Sequence, residues 1–444
     1  MKQRRLMAAI AALALAGAAP SARAATSVPS PVVEDVDGST IVRQPDDHVS
    51  LVGVALVVRS GLDRQTIKQN GLAALVAETI LRTPVPVGEG HTLLPLDDAV
   101  AAGGGSIRFT VDPADVRFYV EALAGDAPAV LDLVRAALAA PDFSPGTVRS
   151  ARAALVSQIA ESQDYALQVG IDMLNAASSQ EANAGMPSLG TPASLAQFVP
   201  ADAKAFYRAY YRRGGAYVSA AGQLGALDPS ALRALADALA PGTTAPVAVH
   251  VAQLHGASHE IVTHRDIASP WLIAQYPAPD VGSKDFGPML VLAAFVKRTL
   301  SDIAQVPGVV SATLLSRSVG TVYAYDRSPA HLVLYVNGGI GNPSRAFATA
   351  LSVVNVLAAT RLQGSIDDFK AVAAGDFATG ATTLETRAWL AAVFAQGSRS
   401  PDYLDRALQA IAATTPADVQ RVARAYLGNP TIALVLPRSG SLQN

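Results

Sequence analysis

Four of the seven histidines, His250, His255, His259 and His264, stand within 15 consecutive positions, and imidazoles grouped in this way could bind a metal ion. Their spacings of 5, 4 and 5 would suit one face of a helix. Gly256, Val262 and Thr263 point instead to loop and strand, which scatters the rings. The segment therefore reads first as a polar connector that takes up zinc only weakly. Gly103-Gly104-Gly105-Ser106 has the outline of a phosphate loop, yet it lacks the Gly-Lys-Ser/Thr ending and leads into a strand pattern. It reads as a helix stop. Nucleophiles are scarce: the chain has no cysteine and no Gly-x-Ser-x-Gly elbow. Asp112, Asp115, Glu121, Glu161 and Asp164 occur singly, and spacing assigns none of them to an acid/base pair.

One stretch could do more. Residues 70–83, NGLAALVAETILRT, open with an asparagine able to cap free backbone N–H groups, and Leu72, Leu75, Val76, Thr79 and Ile80 follow at helical spacing. Such a helix puts Ala74, Ala77 and Glu78 on one face, at i, i+3 and i+4. A metalloprotease helix uses that face for two histidine ligands with a glutamate between them as general base. Here the frame holds two alanines and one carboxylate.

The elements that must position this helix begin after a leader. Lys2, Arg4 and Arg5, an apolar run over 6–19 and the small-x-small site Ala22-Arg23-Ala24 have the order of a secretory signal peptide, residues 1–24. The remainder is then exported, periplasmic or secreted. No later run approaches the roughly 18 apolar residues of a span, so no transmembrane segment is expected. Without cysteine there is no disulfide framework, and a chain that is 50% hydrophobic and 16% charged must rest on its cores. At 444 residues it exceeds what one core usually organises, so two domains are expected. A net charge of −2 leaves no nucleic-acid footprint.

Strand patterns cover 40–42 and 51–58, the 70–83 helix follows, and 83–95 reads as loop. A short helix over 96–102 precedes paired strands at 106–112 and 117–123, helices over 127–140, 144–164 and 167–180, a helix from Pro200 and a strand at 216–221. Pro200-Ala201-Asp202 with Arg208-Ala209-Tyr210 recurs as Pro416-Ala417-Asp418 with Arg424-Ala425-Tyr426, six identities at a constant offset of 216. An apolar strand follows each copy, at 216–221 and 431–436. A strand–turn–strand leading into helices likewise occurs at 106–165 and 321–375. The expected fold is α+β: two homologous tandem domains, each a mostly antiparallel sheet covered by helices. The expected boundaries are 25–240 and 259–444, with a helix over 228–240 and a linker over 241–258.

In this order the segments resemble the pitrilysin/insulinase family of zinc peptidases, above all its two-domain members such as the mitochondrial processing peptidase subunits. LVGVALVVRSG at 51–61 is similar to that family's first core strand. NGLAALVAETILRT resembles its G-L-A-H-x-L-E-H helix, and Gly104-Gly105-Ser106-Ile107-Arg108-Phe109-Thr110 resembles its Gly-Gly-x-x-Asn-Ala-x-Thr segment. The resemblance puts the first metal histidine at Ala74, the catalytic glutamate at Ala77 and the second histidine at Glu78. It puts the third ligand at Gln158, an acidic helper at Ala151 and the substrate-aligning asparagine at Arg108. Alanine has no donor atom, and one carboxylate cannot hold zinc tetrahedrally.

Leu315-Ser316-Arg317-Ser318-Val319-Gly320-Thr321-Val322-Tyr323 resembles the family's second-domain segment L-R-E-x-x-G-L-A-Y, one residue shorter between arginine and tyrosine. The resemblance implies that Arg317 orients a peptide carbonyl and Tyr323 supports the developing oxyanion at a zinc held by another chain. The expectation is a chain that is not catalytic alone, with no metal or cofactor of its own. It would form a heterodimer with a homologous H-x-x-E-H subunit carrying the zinc and enclose an unfolded peptide. The alternatives are a stand-alone exported peptide-binding or assembly protein and, third, an enzyme with a metal site moved to the 250–264 histidines.

Overall fold

The computed structural model describes residues 29–36, 39–88, 90–178, 183, 185–227, 229–243, 260–304, 319–327, 329–337, 352, 365–398 and 400–438. Two sheets organise them. The first runs β1-β2-β9-β3-β7-β6, with β1 Val32–Val36, β2 Ser39–Pro45, β3 Leu51–Val58, β6 Gly105–Val111, β7 Val116–Leu123 and β9 Tyr217–Gly222. The second runs β11-β15-β12-β14-β13, with β11 Glu260–Arg265, β12 Trp271–Pro277, β13 Val319–Ala324, β14 His331–Asn337 and β15 Thr431–Pro437.

The pairings repeat. β2 lies parallel to β9 as β11 does to β15, while β9–β3–β7–β6 and β15–β12–β14–β13 are antiparallel throughout. The final strand of each repeat follows a helix of the Pro-Ala-Asp type, α7 (Pro200–Tyr210) and α13 (Pro416–Tyr426). Each proline sits in the first turn, where its missing N–H leaves no bond unmade. The aspartates close the entries. Asp202 Oδ2 accepts from Val199 N at 2.8 Å, and Asp418 Oδ2 accepts from Thr415 N at 3.1 Å. The mixed α+β architecture with two mostly antiparallel sheets is therefore present.

Helices cover both faces of each sheet, which is why β3 reads as a continuous apolar run with seven of its eight residues buried. On one face of the first sheet lie α1 (Leu72–Leu81), α2 (Leu96–Ala102), α3 (Ala127–Ala139), α4 (Pro145–Ser162), α7 and α8 (Pro229–Asp237) around one core. The other face, Val42, Ala55, Val57, Tyr119 and Ala221, packs on α11 (Leu384–Ser398) from the second repeat. The second sheet mirrors this. Its inner face meets α9 (Phe286–Ala304), α10 (Asp367–Gly380), α12 (Tyr403–Ala413) and α13, while Ile273, Val333, Ala433 and Val435 receive α5 (Ala166–Ser178) from the first repeat. Each repeat thus lends a helix to the other's sheet, and residues 31–444 form one compact unit.

Close approach at both crossings depends on glycine. A Cβ on Gly53 of β3 would stand 2.7 Å from Leu384 Cβ, and one on Gly170 of α5 would collide with Ile273 Cδ1.

Several expectations change. Residues 83–95 are not loop throughout: β4 (Pro84–Val87) and β5 (Thr92–Pro95) form a hairpin, because Val85 and Leu94 pack on the core. Asn70 does not cap α1. It donates to the Pro187 carbonyl at 2.9 Å, Gly71 is the N-cap, and Gln65 Oε1 accepts from Ala73 N at 3.0 Å. β1 adds a strand that the sequence pattern missed. The expected 228–240 helix ends at Asp237, and residues 240–243 form β10 (Ala240–Thr243), paired with β8 (Arg212–Gly214), where the linker was expected to begin. Residues 1–28 and 244–259 lie outside the described residues, as does most of the expected linker.

Candidate functional site

Helix α1 runs between α4 and α7, and all ten of its residues are buried. Ala74 and Ala77, at the positions expected for a metal histidine and a catalytic glutamate, are wholly enclosed in the core, as is Ala151 on α4. Small side chains let the helices close here.

Glu78 is the charged member of this face and is 1% exposed. Its Oε1 accepts from Arg82 Nε at 2.8 Å, and Arg82 Nη1 reaches Asp97 Oδ2 on α2 at 2.9 Å. Oε2 is buried without a hydrogen-bond partner. Burial pushes the Glu78 carboxyl above the usual carboxylate range, and Arg82 only partly opposes this. Gln158 on α4, at the expected third-ligand position, lies close enough to favour the ionised carboxyl slightly. The structure thus brings Ala74, Ala77, Glu78 and Gln158 together. Their donors do not fit a zinc ion: two are methyl groups, one is an amide, and the carboxylate is already paired with a guanidinium. Arg82 escaped the site reading, although its i+4 spacing from Glu78 signals an intrahelical ion pair.

The other expected site residues scatter. Arg108 is exposed on β6, ion-paired with Glu385 of α11 and 5.6 Å from the Tyr119 ring centroid. Tyr323 lies on β13, where its hydroxyl donates to the Pro279 carbonyl. Its ring packs against Phe286 and Tyr325, and burial pushes the phenol well above its usual pKa. Arg317 lies outside the described residues, as do His250, His255 and His259; His264 is on β11.

Beside Gln158 opens a cavity of about 370 Å³ that the sequence did not reveal. Phe109 and Thr110 of β6 with Asp112 just past it, Gln158 and Ser162 of α4 with Gln163 just past it, and Gln168, Asp172 and Asn175 of α5 form one side. Arg327, Pro329 and His331 of the second repeat form the other. Asp112 is held between Arg117 Nη2 at 2.7 Å and Arg327 Nη1 at 3.2 Å. Asp172 accepts from Gln168 Nε2 at 2.8 Å, and burial pushes its carboxyl upward. Burial keeps His331 neutral, its pKa pushed down to about 4. Four amides, Gln158, Gln163, Gln168 and Asn175, stand on the wall, and amides suit an extended peptide backbone. β6 also pairs on one side only among the described residues, so its other edge can take a further strand.

Residues 40–192 match the model of the insulinase family, peptidase family M16. Among solved structures, a protease from Helicobacter pylori superposes with a TM-score of 0.75 at 14% identity, over 92% of this chain and 100% of that one. A peptidase M16 inactive domain from Pseudomonas fluorescens gives 0.73 at 12%, over 92% and 98%. A chain of complex III2 from Candida albicans gives 0.73 at 14%, over 93% and 97%. No curated protein sequence matches the chain. The insulinase-family model thus accounts for residues 40–192, and over the rest of the chain the likeness to M16 structures is one of fold.

Proposed function

We propose that this chain is the non-catalytic, peptide-binding subunit of an exported heterodimeric zinc metallopeptidase. The observation that carries the reading is the metal face itself: its frame is kept, the positions expected for the first histidine and the glutamate are alanine, and its one carboxylate is paired with Arg82. The leader at 1–24 supports a periplasmic or secreted location. The catalytic partner is a homologue with an H-x-x-E-H helix, closing a chamber around an unfolded peptide. That peptide lies along the β6 edge and into the cavity beside Gln158. Arg317 orients a substrate carbonyl toward the partner's zinc. Tyr323 supports the oxyanion, exchanging its bond to Pro279 for one to the substrate.

Mixing the purified chain with such a homologue tests this: peptide cleavage should rise well above that of the homologue alone, and no gain would refute it. A second reading is a stand-alone peptide-binding or assembly protein that takes an extended segment along the unpaired β6 edge. Co-purification separates the two. A stoichiometric, zinc-containing homologue supports the first, and a monomer or homodimer the second.

A further inference from the structure

We propose that Arg82 is a built-in cation occupying the electrostatic place of the metal ion, so that the altered face is a closed ion-pair site and not a vacant ligand set. The inference deepens the family reading, which supplies the assignment of Glu78 to a ligand position. That side chain is 1% exposed, so its charge needs a neighbouring cation, and Arg82 Nε provides one 2.8 Å from Oε1. A divalent ion on the same oxygen would sit in contact range of the guanidinium, and the two cations would repel. Nη1 extends the arrangement to Asp97 at 2.9 Å, tying the end of α1 to α2. The guanidinium therefore does the neutralising and bridging work of a metal, and it offers no open coordination position to water.

Removing it leaves Glu78 and Asp97 facing the space it held, with Glu78 Oε2 already lacking a partner. Two carboxylates so placed, with the Gln158 amide nearby, are oxygen donors of the kind that hard divalent cations take.

The test compares the wild-type chain with Arg82→Met and Arg82→Lys by thermal unfolding and equilibrium dialysis with Mn²⁺, an ion that the 250–264 histidines bind less readily than zinc. Wild type and Arg82→Lys should show no Mn²⁺-dependent rise in Tm. Arg82→Met should start lower, regain stability as Mn²⁺ is added, and bind it about tenfold more tightly than wild type or better. Equal uptake by wild type, or none by folded Arg82→Met, would overturn the proposal. If Arg82→Met does not fold, Glu78→Gln is added to it: recovery supports charge compensation, and no recovery overturns it. Neither partner nor peptide enters, so a failed reconstitution of cleavage leaves this result standing.

Discussion

Arg387 of α11 places Nη1 2.7 Å from Asp46 Oδ2, just past β2, with both side chains almost wholly buried. The contact joins residues of the two repeats. Gln44 accepts from the same guanidinium at 3.3 Å and from the Tyr403 hydroxyl at 3.1 Å. The lent helix is therefore fixed near its start by a buried charge pair.

Breaking that pair should be costly. Arg387→Met is expected to lose about 3–5 kcal/mol by chemical denaturation, because it strands a buried carboxylate. Burial alone would raise the Asp46 pKa, yet hydrogen bonds from Arg387 and His48 hold it below the usual value. A depressed carboxyl stabilises the fold above its unfolded pKa, near 3.8, and that contribution vanishes as pH falls through the lower folded value. The gap between wild type and Arg387→Met should thus be full at pH 5–7 and narrow in stronger acid.

Glu78 has the opposite sign. Its folded pKa is raised above 4.5, so its contribution is most favourable in acid and declines as pH rises through the folded value. Glu78→Gln should flatten that part of the Tm–pH curve. At pH 7 it should stay within about 1 kcal/mol of wild type, since Arg82 keeps Asp97. A wild-type curve that rises over this range while Glu78→Gln stays flat would contradict the assignment.

The glycines at the crossings make a paired prediction. Gly53→Val and Gly170→Val should each cost about 1–3 kcal/mol in denaturant unfolding, by forcing Leu384 or Ile273 out of place. Both should also lower the cooperativity of unfolding, because each crossing ties one repeat to the other.

Filling the cavity should separate binding from folding. Ser162→Trp on its wall is expected to weaken binding of an unfolded peptide by about tenfold in fluorescence anisotropy, with little change in Tm. Unchanged affinity would place the peptide elsewhere.

Tyr323→Phe removes one hydroxyl whose partner is the Pro279 carbonyl. The isolated chain should lose about 1 kcal/mol of stability. In the reconstituted pair, kcat for peptide cleavage should fall while co-purification with the partner is unchanged.

Much of the fold could be read in advance because it rests on local signals. The Pro-Ala-Asp helices announced themselves through proline and aspartate at the first turn, and the hairpins at 105–123 and 319–337 through alternating residues around turns. Asn70 failed for a physical reason. A distant carbonyl at Pro187 claims its side chain, and Gln65, five residues earlier, takes over the cap. β1 and the 84–95 hairpin failed because short strands carry little periodicity.

The sequence by itself determined the repeat, the α+β class and the absence of donor atoms at Ala74 and Ala77, since these depend on residue identity and spacing along the chain. Only the tertiary structure decided what those positions became. Glu78 turns from a lone carboxylate into half of a buried ion pair because α2 brings Asp97 to the far side of Arg82. Gln158 meets a cavity because α5 crosses to the other repeat and carries Asp172 and Asn175 toward Arg327 and His331. Such relations join residues far apart in the chain, and local pattern carries no record of them.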